Sequence, residues 1–197
     1  MKEKNRKILR ENSKSFNWAS KLFSKEKRDL IGQLYFFCRT LDDIADEKYK
    51  DNLDILREFK ELITDGQQQN VRENHVGELY QAYQGLNLNK EVLIHLLDGL
   101  ISDQQTVEIK NERELIIYCY RVAGTVGLFM CPILGCQKKE AYKFAVDLGV
   151  GMQLTNIARD VYEDSSLERR YLPESWLGSM TTREIREASL TPGSESY

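Results

Sequence analysis

Four polar side chains line one edge of the stretch Gln33-Leu-Tyr-Phe-Phe-Cys-Arg-Thr-Leu-Asp-Asp-Ile-Ala-Asp46. At ~100° per helical residue, Tyr35, Arg39, Asp42 and Asp46 fall within roughly 60° of arc, beside an apolar stripe of Leu34, Phe37, Cys38, Leu41, Ile44 and Ala45. Asp42 and Asp46 repel each other, by about 0.2–0.5 kcal/mol on an exposed helix and by more where water is scarce, and a cation would relieve that repulsion. The pattern recurs in Gly149-Val-Gly-Met-Gln-Leu-Thr-Asn-Ile-Ala-Arg-Asp-Val-Tyr-Glu-Asp164. There Gln153, Asn156, Asp160 and Asp164 span roughly 80° of the projection, flanked by Val150, Leu154, Ile157 and Val161. Oxygen donors without histidine or thiolate suit a hard ion such as Mg²⁺, which keeps waters and takes further ligands from substrate phosphates. Two such helices face to face would clamp a diphosphate. The competing reading is a solvated acidic face, preferred for a lone Asp-Asp-x-x-Asp; the repetition argues against it.

The elements that must hold these residues read as helices throughout. Ser24 is placed to cap a helix running to about Glu47, which puts its aspartates at the end where the dipole disfavours anions. Residues Asp51 to Thr64 repeat Leu53, Leu56, Phe59, Leu62 and Ile63 at helical spacing, and Gly66-Gln-Gln-Gln-Asn70 is a polar break. A short helix carries Leu79, Ala82 and Tyr83, and Asn89 caps the next, with Val92, Leu93, Leu96, Leu97, Leu100 and Ile101. From Glu112 a further helix enters Tyr118-Cys-Tyr-Arg-Val-Ala-Gly-Thr-Val-Gly127. Glycine costs a helix interior about 1 kcal/mol relative to alanine, so Gly124 and Gly127 need either tight helix packing or a ligand chain close by. Tyr118, Val122, Thr125 and Phe129 share a face suited to walling a long apolar substrate. The expected class is all-α, one helical domain over residues 1–197.

Composition narrows the function. The chain has 197 residues, 41% hydrophobic and 30% charged, enough for one enclosed core. Its net charge of −3, with basic residues scattered among acids, gives no nucleic-acid footprint. Cys38, Cys119, Cys131 and Cys136 lack zinc or redox spacing and read as reduced core residues. The basic start Met1-Lys-Glu-Lys-Asn-Arg-Lys7 has no apolar run behind it, so a cytoplasmic location is expected, with peripheral membrane contact if apolar faces stay uncovered. Uncovered faces would also favour a homodimer. Leu115 to Cys136 approaches the ~20 residues that cross a bilayer, but Arg121, Gly124, Gly127 and Pro132 favour a buried helix.

With these stretches in place, the chain resembles the squalene and phytoene synthases, head-to-head prenyl transferases of the all-α isoprenoid synthase fold. The resemblance is carried by Ser13-Lys-Ser-Phe16, Tyr35 to Asp46, Asp98-Gly99 with Asp103, Tyr118 to Gly127, and Gln153 to Asp164 continuing to Arg170-Tyr-Leu-Pro173. It implies that Asp42 and Asp46 bind Mg²⁺ with one prenyl diphosphate, and Asn156, Asp160 and Asp164 with the other. It further implies that Arg39 and Arg159 contact diphosphate, with Gln153 also in the substrate site and Ser13 near the phosphate end. Tyr35 and Tyr118 would lie near the reacting carbons. The implied reaction joins two geranylgeranyl diphosphates through a cyclopropyl diphosphate to phytoene, in carotenoid biosynthesis. A squalene or dehydrosqualene synthase using farnesyl diphosphate is the runner-up. Ile109 and Asn111 depart from the family's usual Tyr and Thr. Family members continue for several helices past the Tyr-Leu-Pro segment, so the bundle is expected to be shortened at its C-terminus, with 178–197 unassigned. A shortened, non-catalytic protein that binds a prenyl lipid or a partner is the alternative of another class, and an interaction scaffold is the third.

Overall fold

The computed structural model describes residues 14–46, 52–66 and 74–190. Helix follows helix, and among the described residues the one β pairing is an isolated parallel bridge between Glu108 and Arg170. A short α1 (Lys14–Ser20) leads into α2 (Lys25–Ala45), which carries the first acidic edge. Ser24 caps α2 by accepting from the Lys27 amide, and Asp46 forms its C-cap. Helices α3 (Asn52–Asp65), α4 (His75–Leu86) and α5 (Lys90–Ser102) pack around it. Leu34, Phe37, Leu41 and Ile44 of α2 meet Leu56, Phe59 and Ile63 of α3, Leu79 of α4, and Leu93, Leu96 and Leu97 of α5 in the main core. These are the positions that helical spacing selects.

The second half is built on a long run. Helix α6 (Glu112–Cys119) starts at Asn111, whose side chain accepts from the Glu114 amide at 3.0 Å, so asparagine serves as a helix cap here. It passes through a π-helical turn, Tyr120–Gly124, into α7 (Thr125–Leu134). The run Glu112–Leu134 is long and apolar enough to cross a membrane, with a mean hydropathy of 1.5. In the structure it is packed among α2, α5 and α8 (Lys139–Arg159). Gly127 and Gly149 explain how closely: a Cβ on Gly149 would come within 2.5 Å of the Ala123 carbonyl oxygen, and one on Gly127 would overlap the Ala145 carbonyl. The glycines of the run therefore serve backbone-to-backbone helix packing, while Gly151 on α8 faces open space.

The acidic edge of α8 is not one straight helix. It stops at Arg159, Asp160 adopts φ −101° and ψ 15°, and α9 (Val161–Ser166) follows. The i to i−4 spacing survives the bend, since the Asp160 amide donates to the Asn156 carbonyl (2.9 Å) and that of Asp164 to the Asp160 carbonyl (2.8 Å). Beyond α9 the chain pairs with the α5–α6 connection: Arg170 N donates to Val107 O at 2.8 Å, and Ile109 N donates to Arg170 O at 3.1 Å. Short α10 (Glu174–Leu177) and α11 (Thr182–Leu190) complete the described residues, α11 lying against α9 with Ile185 buried. The stretch left unassigned from sequence thus includes an ordered helix.

Candidate functional site

Three helix C-termini converge on one cleft. Asp46 caps α2, Asp103 caps α5 and Asp160 caps α8, and all three line an open cleft of ≈ 770 Å³ together with Arg39, Glu163, Asp164 and Arg169. Each helix presents unpaired carbonyls at that end and already carries a partial negative charge, so adding a carboxylate raises the local potential further. An inner cavity of ≈ 250 Å³ shares Arg39, Asp46, Asp103 and Arg169 with the cleft. It adds Asp42, Leu100, Tyr118, Val122, Gln153 and Tyr171. The acidic cleft therefore adjoins a cavity where two phenols, Leu100 and Val122 stand beside the same acids and arginines.

Burial dominates the electrostatics of the mouth, with like-charged neighbours adding to it. Burial raises Asp42 from 3.8 to about 7, with Arg39 opposing and Asp46, Asp43 and Asp103 reinforcing the shift. Asp164 rises to about 6, through burial first and then the charge of Asp160. Asp103 rises to about 6 for the same leading reason, although two phenol hydrogen bonds pull it down. Asp160 moves the other way, lowered by Arg159, which grips it with Nε at 2.7 Å and Nη2 at 2.6 Å. Arg169 lies 3.7 Å from Asp46 and, like Arg39, lines both the cleft and the smaller cavity. It follows Glu168, held at φ 58°, a left-handed backbone that costs an L residue roughly 1–2 kcal/mol.

Asp103 organises the inner wall. Tyr118 Oη donates to its Oδ2 and Tyr171 Oη to its Oδ1, each at 2.9 Å. The two rings lie 4.8 Å apart between centroids and tilt by 31°. Burial and the Asp103 charge push both phenols up, so both stay protonated. Nearby, the amide of Gln104 is buried with neither polar atom hydrogen-bonded within the protein, and it too lines the cleft.

The residues selected from sequence are gathered unevenly. Asp46, Asp160, Asp164 and Arg39 meet at the cleft, and Asp42, Gln153 and Tyr118 line the inner cavity. Arg39 pairs with Asp43 at 2.9 Å, a residue the acidic pattern passed over. Asn156 donates to Gln153 Oε1 at 3.3 Å and stays within α8. Tyr35 is half-buried on α2 beside Arg39, outside the residues lining either space. Arg159 is exposed and committed to Asp160. Ser13 lies outside the described residues. Of the wall expected from Tyr118, Val122, Thr125 and Phe129, the first two line the cavity and the last two are buried in packing. Asp103, Arg169 and Tyr171 were not selected as site residues. The signal for Asp103 was present: like Asp46, it is an acid at a helix end that prefers cations.

The donor set fits a hard cation. Every candidate ligand is oxygen, and Asp42 and Asp164 are raised first by burial and then by neighbouring carboxylates, a cost that a bound cation would relieve. Among the described residues no three carboxylates, imidazoles or thiols close around a single point.

Comparison with known proteins bears on the family and the fold. The profile of the family described as Squalene/phytoene synthase matches residues 9–193. A phytoene synthase of Thermus thermophilus is 36% identical over 192 residues, covering 94% of this chain and 64% of its own length. A 15-cis-phytoene synthase of Enterobacter agglomerans is 33% identical, covering 84% of this chain and 59% of its own. A dehydrosqualene synthase crystallised with a ligand superposes with a TM-score of 0.75 at 30% identity, covering 93% of this chain and 65% of that one. The chain spans about three-fifths of the length of the curated relatives it matches, 64% and 59% for these two.

Proposed function

Because the chain belongs to the squalene/phytoene synthase family, we propose that it joins two prenyl diphosphates head to head, and that two geranylgeranyl diphosphates give phytoene. The observation that carries this reading is the meeting of two carboxylate-bearing helix ends, Asp46 on α2 and Asp160 with Asp164 beyond α8, around one cleft that opens onto an inner wall of Tyr118, Val122 and Tyr171. A protein that only bound a lipid tail would have no use for paired acids at its mouth.

In this reading Asp42, Asp46, Asn156, Asp160 and Asp164 would hold Mg²⁺. When bound, the ion neutralises diphosphate charge and eases its departure. Arg39 and Arg169 approach the diphosphates from the protein side, and guanidinium forks match phosphate oxygens in geometry as well as charge. The allylic C–O bond breaks with its electron pair leaving on diphosphate. The double bond of the second substrate then forms the new carbon–carbon bond, and loss of a proton closes a cyclopropane. Departure of the second diphosphate opens that ring, and loss of a second proton gives the linear product. Leu100, Val122, Tyr118 and Tyr171 shield the cationic stages from water, and the phenols present π density that stabilises a cation without capturing it.

A second reading, condensation of farnesyl diphosphate, is favoured by the superposition on a dehydrosqualene synthase. One experiment tests both. The purified chain is incubated with Mg²⁺ and labelled geranylgeranyl or farnesyl diphosphate, and organic-soluble products are identified by mass. A C40 hydrocarbon supports the first reading and a C30 product the second. Binding of diphosphate without either product overturns the catalytic reading of this chain.

A further inference from the structure

Asp103 takes part in neither acidic edge, and its placement is costly. Both carboxylate oxygens are spent on phenols, and among the described residues it makes no direct ion pair. A largely buried carboxylate with no direct ion pair is disfavoured, and although the Arg169 charge offsets part of that cost, a neutral amide would fill the same space more cheaply. Its two partners come from distant parts of the chain, Tyr118 from 15 residues on and Tyr171 from 68 residues on. The second is delivered by the backbone pairing between Val107 and Arg170. All three line the same inner cavity.

The direction of the hydrogen bonds decides what that cavity meets. Both O–H protons point to Asp103, so the phenols offer the cavity ring π density and oxygen lone pairs. A carboxylate acceptor pulls each O–H toward it and leaves the ring more electron-rich, which strengthens attraction for a cation on its face. We propose that Asp103 is a positioning residue which, through its hydrogen bonds to Tyr118 and Tyr171, makes the inner cavity a binding site for positively charged hydrocarbon. The inference rests on the prenyl diphosphate reading for its substrate but is tested without turnover.

The probes are dimethylgeranylammonium and its neutral isostere, in which carbon and hydrogen replace the charged N–H, titrated calorimetrically into the full chain with Mg²⁺ and inorganic diphosphate present. The wild-type chain should prefer the ammonium by about tenfold. Asp103→Asn should abolish that preference while leaving affinity for the neutral isostere within about twofold, and Asp103→Glu should restore part of it. Because Asp103→Asn also removes a charge, the double variant Tyr118→Phe with Tyr171→Phe, which keeps the carboxylate and both rings but cuts both hydrogen bonds, should lose the preference too, and a preference retained there overturns the inference. Absence of any preference in the wild type, or equal weakening of both probes by Asp103→Asn, overturns the inference; the latter marks Asp103 as a packing residue. A chain that discriminates the probes through Asp103 yet forms no product sustains the inference and removes the proposed reaction. Undiminished product formation by Asp103→Asn does the reverse.

Discussion

Asp42 holds its proton up to about pH 7 in the folded chain against an ordinary 3.8, because it is buried among Asp46, Asp43 and Asp103. Between those values the folded state binds more protons than the unfolded one, so stability is greatest at low pH and falls as pH rises toward 7. Without divalent cations, the melting temperature should drop by several degrees between about pH 5 and pH 7.5, and Asp42→Asn should flatten that slope. Mg²⁺ should raise the melting temperature at pH 7.5 more than at pH 5, because protons compete for the same oxygens. Equal gains at both pH values would argue against the carboxylates as ligands. For turnover, Asp42→Asn and Asp160→Asn should each lower kcat/KM by at least about 100-fold, about 2.7 kcal/mol, with helicity by circular dichroism unchanged.

At the scale of elements, the packing of α8 against α7 and the π turn depends on two glycines whose missing side chains let the backbones touch, Gly127 against Ala145 and Gly149 against Ala123. Gly149→Ala and Gly127→Ala should each destabilise by about 1–3 kcal/mol, whereas Gly151→Ala, facing open space, should stabilise by about 0.5–1 kcal/mol through helix propensity. Chemical denaturation of the three variants separates the two roles of glycine. Elements of this kind were legible in the sequence because a helix repeats its apolar face within a few residues. Ser24 and Asn89 cap where the pattern starts, and Leu56, Phe59 and Ile63 are buried as their spacing requires. The acidic edges were legible for the same reason. The bend at Asp160, the π turn and the Asp103 cluster were not. The bend leaves the i, i+4 spacing intact, a π turn adds one residue without changing composition, and Tyr171 reaches Asp103 only through loop pairing across 68 residues. No local periodicity encodes such a contact.

Across the whole molecule, apolar surface is distributed unevenly. Helix α8 is apolar on two sides: Gly149 and Ile157 face inward, while Phe144 and Leu148, spaced i and i+4, are 70% and 67% exposed, with Met152 next in the row. Trp18 and Leu22, near α1, are exposed to 66% and 74%. Contiguous apolar surface of this kind drives association in water. Sedimentation of the isolated chain should show concentration-dependent self-association, reduced by Phe144→Ser with Leu148→Ser; a monomer at every concentration would show that the row tolerates water. The π turn between Tyr118 and Gly127 bears on a different property, how the chain can vary in length. Upstream, Tyr118 must reach Asp103, and downstream, Gly127 must seat on Ala145. Deleting one residue from Tyr120–Gly124 would rotate one end of the run against the other by about 100°. One of those two contacts would then be lost. A change in residue count breaks the register of the whole run, whereas a substitution acts only at its own contact, so related sequences should align through it without gaps.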